Sequence, residues 1–259
     1  GVEGAGVATS FCMVLGGLMA LGYLTFMANN LHLQLPKLSF KSLRLTLRNI
    51  GYQCRIGFSS LMGELAVAIS IYIGNLVFMR YLGDDGVGAF GISCYYTPFF
   101  FSVGNSIAQS AQPIISYNYG AERWNNVSKV RHLLLGTSLA VGVVLALLFA
   151  LLPKPLVALF VDASSSAGQI AINGFPYFAT GIIFFILNVA IIGYYQSIER
   201  IGRATLLVCL RGLIFLLPCF VALPHLCGEE GMWLAMPAAE LLTLIAILVC
   251  GRIDKLRKR

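Results

Sequence analysis

The chain has 259 residues, 58% hydrophobic and only 11% charged, with 27 glycines and a mean hydropathy of +0.82. A soluble domain carries roughly 25% charged residues, so this composition excludes a water-soluble globule and points to lipid. The formal charge of +7 does not signal nucleic acid, because the bases are spread between apolar runs and form no single patch.

One helical crossing takes about 20 residues, and the apolar runs predict seven, at 5–30, 57–82, 88–118, 132–152, 171–196, 204–224 and 231–251. The first is rich in small residues (Gly4, Ala5, Gly6, Gly16, Gly17, Gly22), which permit close helix contact in a membrane. It has no basic stretch before it and reads as a span, not a cleavable leader. Over 37–50, Lys37, Lys41, Arg44 and Arg48 recur beside Phe40, Leu43, Leu47 and Ile50. This pattern predicts a basic amphipathic helix lying on anionic lipid at the membrane surface.

The second span carries Glu64 and Asn75 and ends at Gly83-Asp84-Asp85-Gly86, a predicted tight turn. The third holds Pro98 and Pro113, and places Asn105, Gln109 and Gln112 at i, i+4 and i+7. Three amides on one helix face predict the wall of a polar cavity. The fourth is almost featureless and is expected to face lipid, ending at Pro153-Lys154-Pro155. The fifth carries Asn173, Pro176, Asn188 and Tyr194-Tyr195-Gln196; the sixth carries Arg211 and Pro218; the seventh carries Pro237 and Glu240. We read no internal repeat among the spans.

Of the 18 Lys and Arg, fifteen fall in 31–56, 119–131, 197–203 and 252–259, on one side of the membrane. The other side has only Arg80 and Lys154, with six acids, Glu3, Asp84, Asp85, Asp162, Glu229 and Glu230. By the positive-inside rule the basic side, including the C-terminus, is cytoplasmic. The seven cysteines are scattered singly, and His32, His132 and His225 sit at membrane edges. Such spacing predicts no zinc or haem site, and the sequence implies no cofactor. No hydrolase, metalloprotease or P-loop motif is present, which argues against an enzyme.

Charged groups inside a span are functional candidates. Glu64 and Arg211 lie about 12 Å from the cytoplasmic edge and Glu240 about 16 Å, at about 1.5 Å per residue. Two acids and one base leave a surplus carboxylate. We expect Arg211 and Glu240 to form a structural pair. Glu64 is expected to be the exchanging group, binding H⁺ or Na⁺ with help from Asn75, which shares its face, and Asn188. Tyr95, Phe99, Asn105, Gln109, Gln112, Tyr194 and Tyr195 are expected to line a cavity whose aromatic faces attract an organic cation.

The run Gln112-Pro113-Ile114-Ile115-Ser116-Tyr117-Asn118-Tyr119-Gly120-Ala121 resembles the signature of the multidrug and toxic-compound extrusion (MATE) family. Gly4 to Thr9, Gly57-Phe58-Ser59-Ser60 followed by Glu64, and Gly231 to Glu240 agree with it in family order. The resemblance implies an all-α integral membrane protein whose six-helix bundle is one of two in a twelve-helix carrier. Residues 1–31 would be the last helix of the first bundle and 32–56 the connector. Residues 57–251 would be the second bundle and 252–259 a basic cytoplasmic tail. It also implies export of organic cations or drugs across a bacterial inner membrane, coupled to inward Na⁺ or H⁺. A lipid-linked polysaccharide flippase of the same superfamily, or a receptor or structural membrane protein, are the alternatives.

Overall fold

The computed structural model describes residues 2–27 and 39–256. The chain divides into two compact units, Gly1–Tyr52 and Gln53–Arg259. The first contains α1 (Val2–Phe26) and the opening turns of α2 (Phe40–Gly120). Apolar side chains of α1 such as Phe11, Met13 and Leu18 are exposed, as a lipid-facing helix requires. In the predicted basic amphipathic segment, Phe40, Leu43, Leu47 and Ile50 are likewise exposed; Lys37 lies outside the described residues.

The second unit holds the rest of α2, α3 (Trp124–Leu151), α4 (Pro153–Ala158), α5 (Ser166–Ser197), α6 (Ile201–Cys209), a π-helical turn Leu210–Ile214, and α7 (Leu216–Leu256). Among the described residues, five helical stretches are long and apolar enough to cross a membrane. Two of these are far too long for one crossing: 61 residues over Ser60–Gly120 and 49 over Ile201–Val249, where about 20 suffice. Each is broken by a glycine with positive φ, Gly83 (φ 63°, ψ −152°) in α2 and Gly228 (φ 60°, ψ −136°) in α7. Only glycine takes such a conformation without strain. The chain reverses there: the rings of Phe78 and Phe90, on opposite sides of Gly83, stack at 4.5 Å, and Gly63 lies against Phe101. The stretches therefore resolve into seven apolar rods, the number expected. The reversal needs a single residue where a four-residue turn was predicted.

Contacts fix the packing order. The descending arm of α2 runs parallel to α5, with Gly104 against Val189 and Gly193 against Ala108. The arm of α7 after Gly228 is also parallel to α5: Gly174 meets Trp233, Gly181 meets Pro237 and Asn188 meets Glu240. Helix α3 is antiparallel to α5, with Gly142 on the Ile183 backbone and Phe149 beside Phe175. The fourth span is thus not featureless. Its buried Leu134, Ser138, Gly142, Ala146 and Phe149 form one stripe against α5, while Leu133, Val144 and Leu147 remain exposed. In lipid, close packing of small residues replaces the hydrophobic drive as the source of association.

Toward the Gly83 and Gly228 reversals the interior is filled by rings. Phe78, Phe100, Phe149, Phe175 and Phe220 are fully buried, and Phe78 stands edge-on to Trp233 at 4.9 Å. The opposite half is less tightly filled and contains the polar pockets described below.

At that opposite end two helices finish in the same way. Helix α2 ends with Glu122 in the left-handed region (φ 57°) and α5 ends with Glu199 at the same φ of 57°. The bonds match: Glu122 N–H donates to Tyr119 O and Arg123 N–H to Asn118 O. In the second copy Glu199 N–H donates to Gln196 O and Arg200 N–H to Tyr195 O. Both are Schellman-type helix ends, with 6→1 and 5→2 bonds. The sequences align as Ile114-Ile115-Ser116-Tyr117…Glu122-Arg123 and Ile191-Ile192-Gly193-Tyr194…Glu199-Arg200.

Candidate functional site

Arg211 sits in the π-helical turn, where Phe215 N–H reaches back five residues to Leu210 O at 2.9 Å. Gly212 beside it lies against Ala66 of α2, so no side chain separates the two helices. The guanidinium donates from Nε (3.0 Å) and Nη2 (2.6 Å), both to Oε1 of Glu240. Its Nη1 donates to no described residue. The other carboxylate oxygen, Oε2, accepts from Asn188 Nδ2 at 2.7 Å, and the same Nδ2 is 2.9 Å from the Glu240 carbonyl. Arg211 also stacks over the Phe185 ring, 4.3 Å from Cζ to centroid. Arg211, Glu240 and Asn188 are all buried, and Asn188 Oδ1 is buried without a partner. A pair so deep persists because each charge is met by a fixed partner; removing either partner is costly.

Two pockets flank this centre. One is lined by Ser70, Thr97, Phe185, Arg211, Met236 and Glu240. The other is lined by Ser60, Glu64, Phe101, Asn105, Gln196 and Arg211, with Val189, Ile192 and Gly193 of α5. Glu64 is exposed there. Gln196 Nε2 approaches Ser60 Oγ at 3.4 Å across the same pocket. Arg211 is common to both pockets, so one guanidinium stands between the two intramembrane acids.

The MatE family model matches residues 60–221, well over half of the chain. The chain belongs to the MATE family. Its fold is similar to an outward-facing multidrug resistance MATE transporter of the MOP superfamily (TM-score 0.83, 18% identity), covering all of this chain and 58% of that one. It is also similar to a MOP superfamily transporter from Pyrococcus furiosus, described as having a binding pocket of reverse polarity (TM-score 0.81, 16% identity, 97% of this chain and 56% of that one). A mutant MATE transporter from Vibrio cholerae matches with a TM-score of 0.72 at 15% identity, over 97% of this chain and 54% of that one. This MATE chain therefore spans a little over half the length of these structures. No curated protein matches the sequence.

Within this fold the expected site residues separate. Glu64 and Asn105 share a pocket, and Gln109 and Gln112, one and two turns further on, are exposed. Asn75 does not join Glu64: eleven residues along α2 put it about 16 Å away along the axis. Asn188 does not join Glu64 either. Its neighbour Val189 faces that pocket, and the roughly 100° step between adjacent helix residues turns Asn188 toward Glu240. The expected Glu64–Asn75–Asn188 set is thus not assembled.

The aromatic cavity is corrected as well. Tyr95 stacks on Phe160 at 5.4 Å and lies about 15 Å along α2 from Asn105. Phe99 is half-exposed and edges against Phe100. Tyr194 and Tyr195 meet edge-on, and each has a guanidinium 6.0 Å from its ring centre, Arg131 and Arg203 respectively. One face of each ring is thus approached by the protein's own cation. Sequence reading missed Ser70, Thr97 and Phe185, and marked Gln196 without assigning it to the cavity. Ser70 and Thr97 bond helix carbonyls, as such residues commonly do, so nothing in their spacing marked them. Among the described residues no three His, Cys, Asp or Glu side chains are grouped as metal ligands.

The signature run itself is structural. Ser116 Oγ donates to the Ser197 carbonyl at 2.9 Å, tying the two repeated helix ends together. Asn118 caps back to Ile114 O and accepts from Asn126 Nδ2 at 3.0 Å.

Proposed function

We propose that this MATE chain belongs to a secondary antiporter that exports organic cations in exchange for inward Na⁺ or H⁺, in a bacterial inner membrane with its C-terminus cytoplasmic. On this reading residues 1–31 are the last helix of one bundle and 57–251 are the other. The observation that supports it is the Glu64 pocket, an exposed carboxylate in an opening bordered by Phe101, Asn105 and Gln196. The carboxylate supplies charge, Phe101 supplies a ring face, and the amides offer oxygens. A proton or Na⁺ on Glu64 cancels the attraction, so ion and drug select different states of the carrier. Rocking of one bundle against the other then changes the open side.

Ethidium efflux from cells expressing the gene that encodes this chain, with and without an inward Na⁺ gradient, tests the reading. Efflux that collapses with one of the ion gradients is expected, and Glu64→Gln should abolish it. No efflux under either gradient refutes the proposal.

A further inference from the structure

We propose that Arg211 is a positioning residue shared between the two acids: it rests on Glu240 while Glu64 holds a cation, and turns its free Nη1 face to Glu64 when the cation leaves. The inference rests on the reading of Glu64 as the cation site. Four observations converge on it. Arg211 lines both pockets, the one with Glu240 and the one with Glu64. Its bonds to Glu240 use Nε and Nη2 on a single oxygen, leaving Nη1 unengaged among the described residues. A guanidinium carries five donors, so it can keep Glu240 and reach a second carboxylate. Its Cζ stands over the Phe185 ring, 4.3 Å from the centroid, a cation–π contact with no fixed hydrogen-bond direction. Its backbone is a π-helical turn, an insertion that helices carry frequently at functional sites.

Charge balance gives the device its purpose. Glu240 is held independently by Asn188, so it does not lose every partner when the guanidinium moves. An empty Glu64 in a membrane pocket is an uncompensated charge, which is costly. Arg211 relieves it, and an arriving organic cation must displace Arg211 to take its place. The affinity for cation at Glu64 is thereby set by how firmly Glu240 holds Arg211.

The test is binding of tetraphenylphosphonium to the purified protein in nanodiscs, through a double-mutant cycle. Glu240→Gln releases Arg211 to Glu64 and should weaken binding at least about tenfold, since an opposite charge within contact shifts such equilibria by one or more decades. Made in a Glu64→Gln background, the same substitution should change nothing further. Arg211→Gln with Glu240→Gln removes the competitor altogether and should bind the probe more tightly than wild type. Equal weakening in both backgrounds, no weakening, or a double variant that binds no better than wild type overturns the proposal. Where Glu240→Gln alone fails to yield monodisperse protein, the double variant decides by the same criterion. If Glu64→Gln binds the probe as wild type does, the functional reading itself falls. If Glu64→Gln loses binding and Glu240→Gln keeps it, only the role of Arg211 falls.

Discussion

In a Glu64→Gln background, where Arg211 has no second carboxylate to turn to, removing the Glu240 side chain strands a buried cation, and the size of that effect follows from the contacts. In Glu240→Leu, Arg211 loses both of its hydrogen bonds, while Asn188 Nδ2 retains only the residue 240 carbonyl. Arg211 keeps 7% of its surface exposed, too little for water to replace the carboxylate. A stranded buried charge costs about 3–5 kcal/mol. Adding Arg211→Met restores an apolar pair of similar volume on Phe185 and leaves only the lost Asn188 bond, about 1 kcal/mol. The double variant should therefore be more stable than the single one by at least about 2 kcal/mol. For a helical unit of this size the single variant should lose roughly 6–20 °C of thermal midpoint, and the double variant only a few degrees. Thermal denaturation of the detergent-solubilised protein, followed by loss of the monodisperse size-exclusion peak, reads both. A double variant as unstable as the single one would refute the argument, because it would mean that shape, not the unpaired charge, dominates.

Three further outcomes are expected. Glu122→Gly and Glu199→Gly each relieve a left-handed non-glycine residue at an exposed helix end and should raise stability by about 1 kcal/mol; a drop in midpoint counts against the repeated-turn assignment. Gly212→Ala places a methyl group into Ala66 and should cost about 1–3 kcal/mol by overpacking, with loss of transport in the same ethidium assay; wild-type behaviour in both would show that the contact is not needed. The Ser164 N–H and Ser164 Oγ–H donors hold the Asp162 carboxyl below the usual carboxylate value. A depressed folded-state value stabilises the folded chain above the ordinary range, and the contribution is lost as pH falls through the lowered value. Carboxyl NMR of Asp162 should therefore titrate below the ordinary carboxylate value, and Ser164→Ala, which keeps the N–H donor and removes the hydroxyl, should bring it part of the way back up.

The seven crossings were legible because hydropathy integrates over about 20 residues, and the charged groups at Glu64, Arg211 and Glu240 stood out against so apolar a background. Neighbours were not legible. Helical periodicity says that Asn188 and Val189 point in different directions, but not which helix stands on each side, and so Asn188 was expected beside the wrong glutamate. Tyr194 and Tyr195 illustrate the same limit: the sequence offered their rings to a ligand, and in the fold Arg131 and Arg203 approach one face of each. The repeated helix end was visible in principle as Ile-Ile…Tyr…Glu-Arg at 114–123 and 191–200. Only the matching φ values and bonds turn that short similarity into a shared element.

The reversals at Gly83 and Gly228 also decide what an outside observer can touch. Each joins two rods through one residue, so that end of the second unit offers almost no protruding chain at either hairpin for a protease or an antibody to grip. The connection between α4 and α5 is different. Leu159 and Phe160 are exposed, and the Asp162 to Ser165 turn folds on itself through its own hydrogen bonds. An epitope tag meant to report which face of the membrane this end occupies therefore belongs at 162–165, where an insertion lengthens a turn without prying two helices apart.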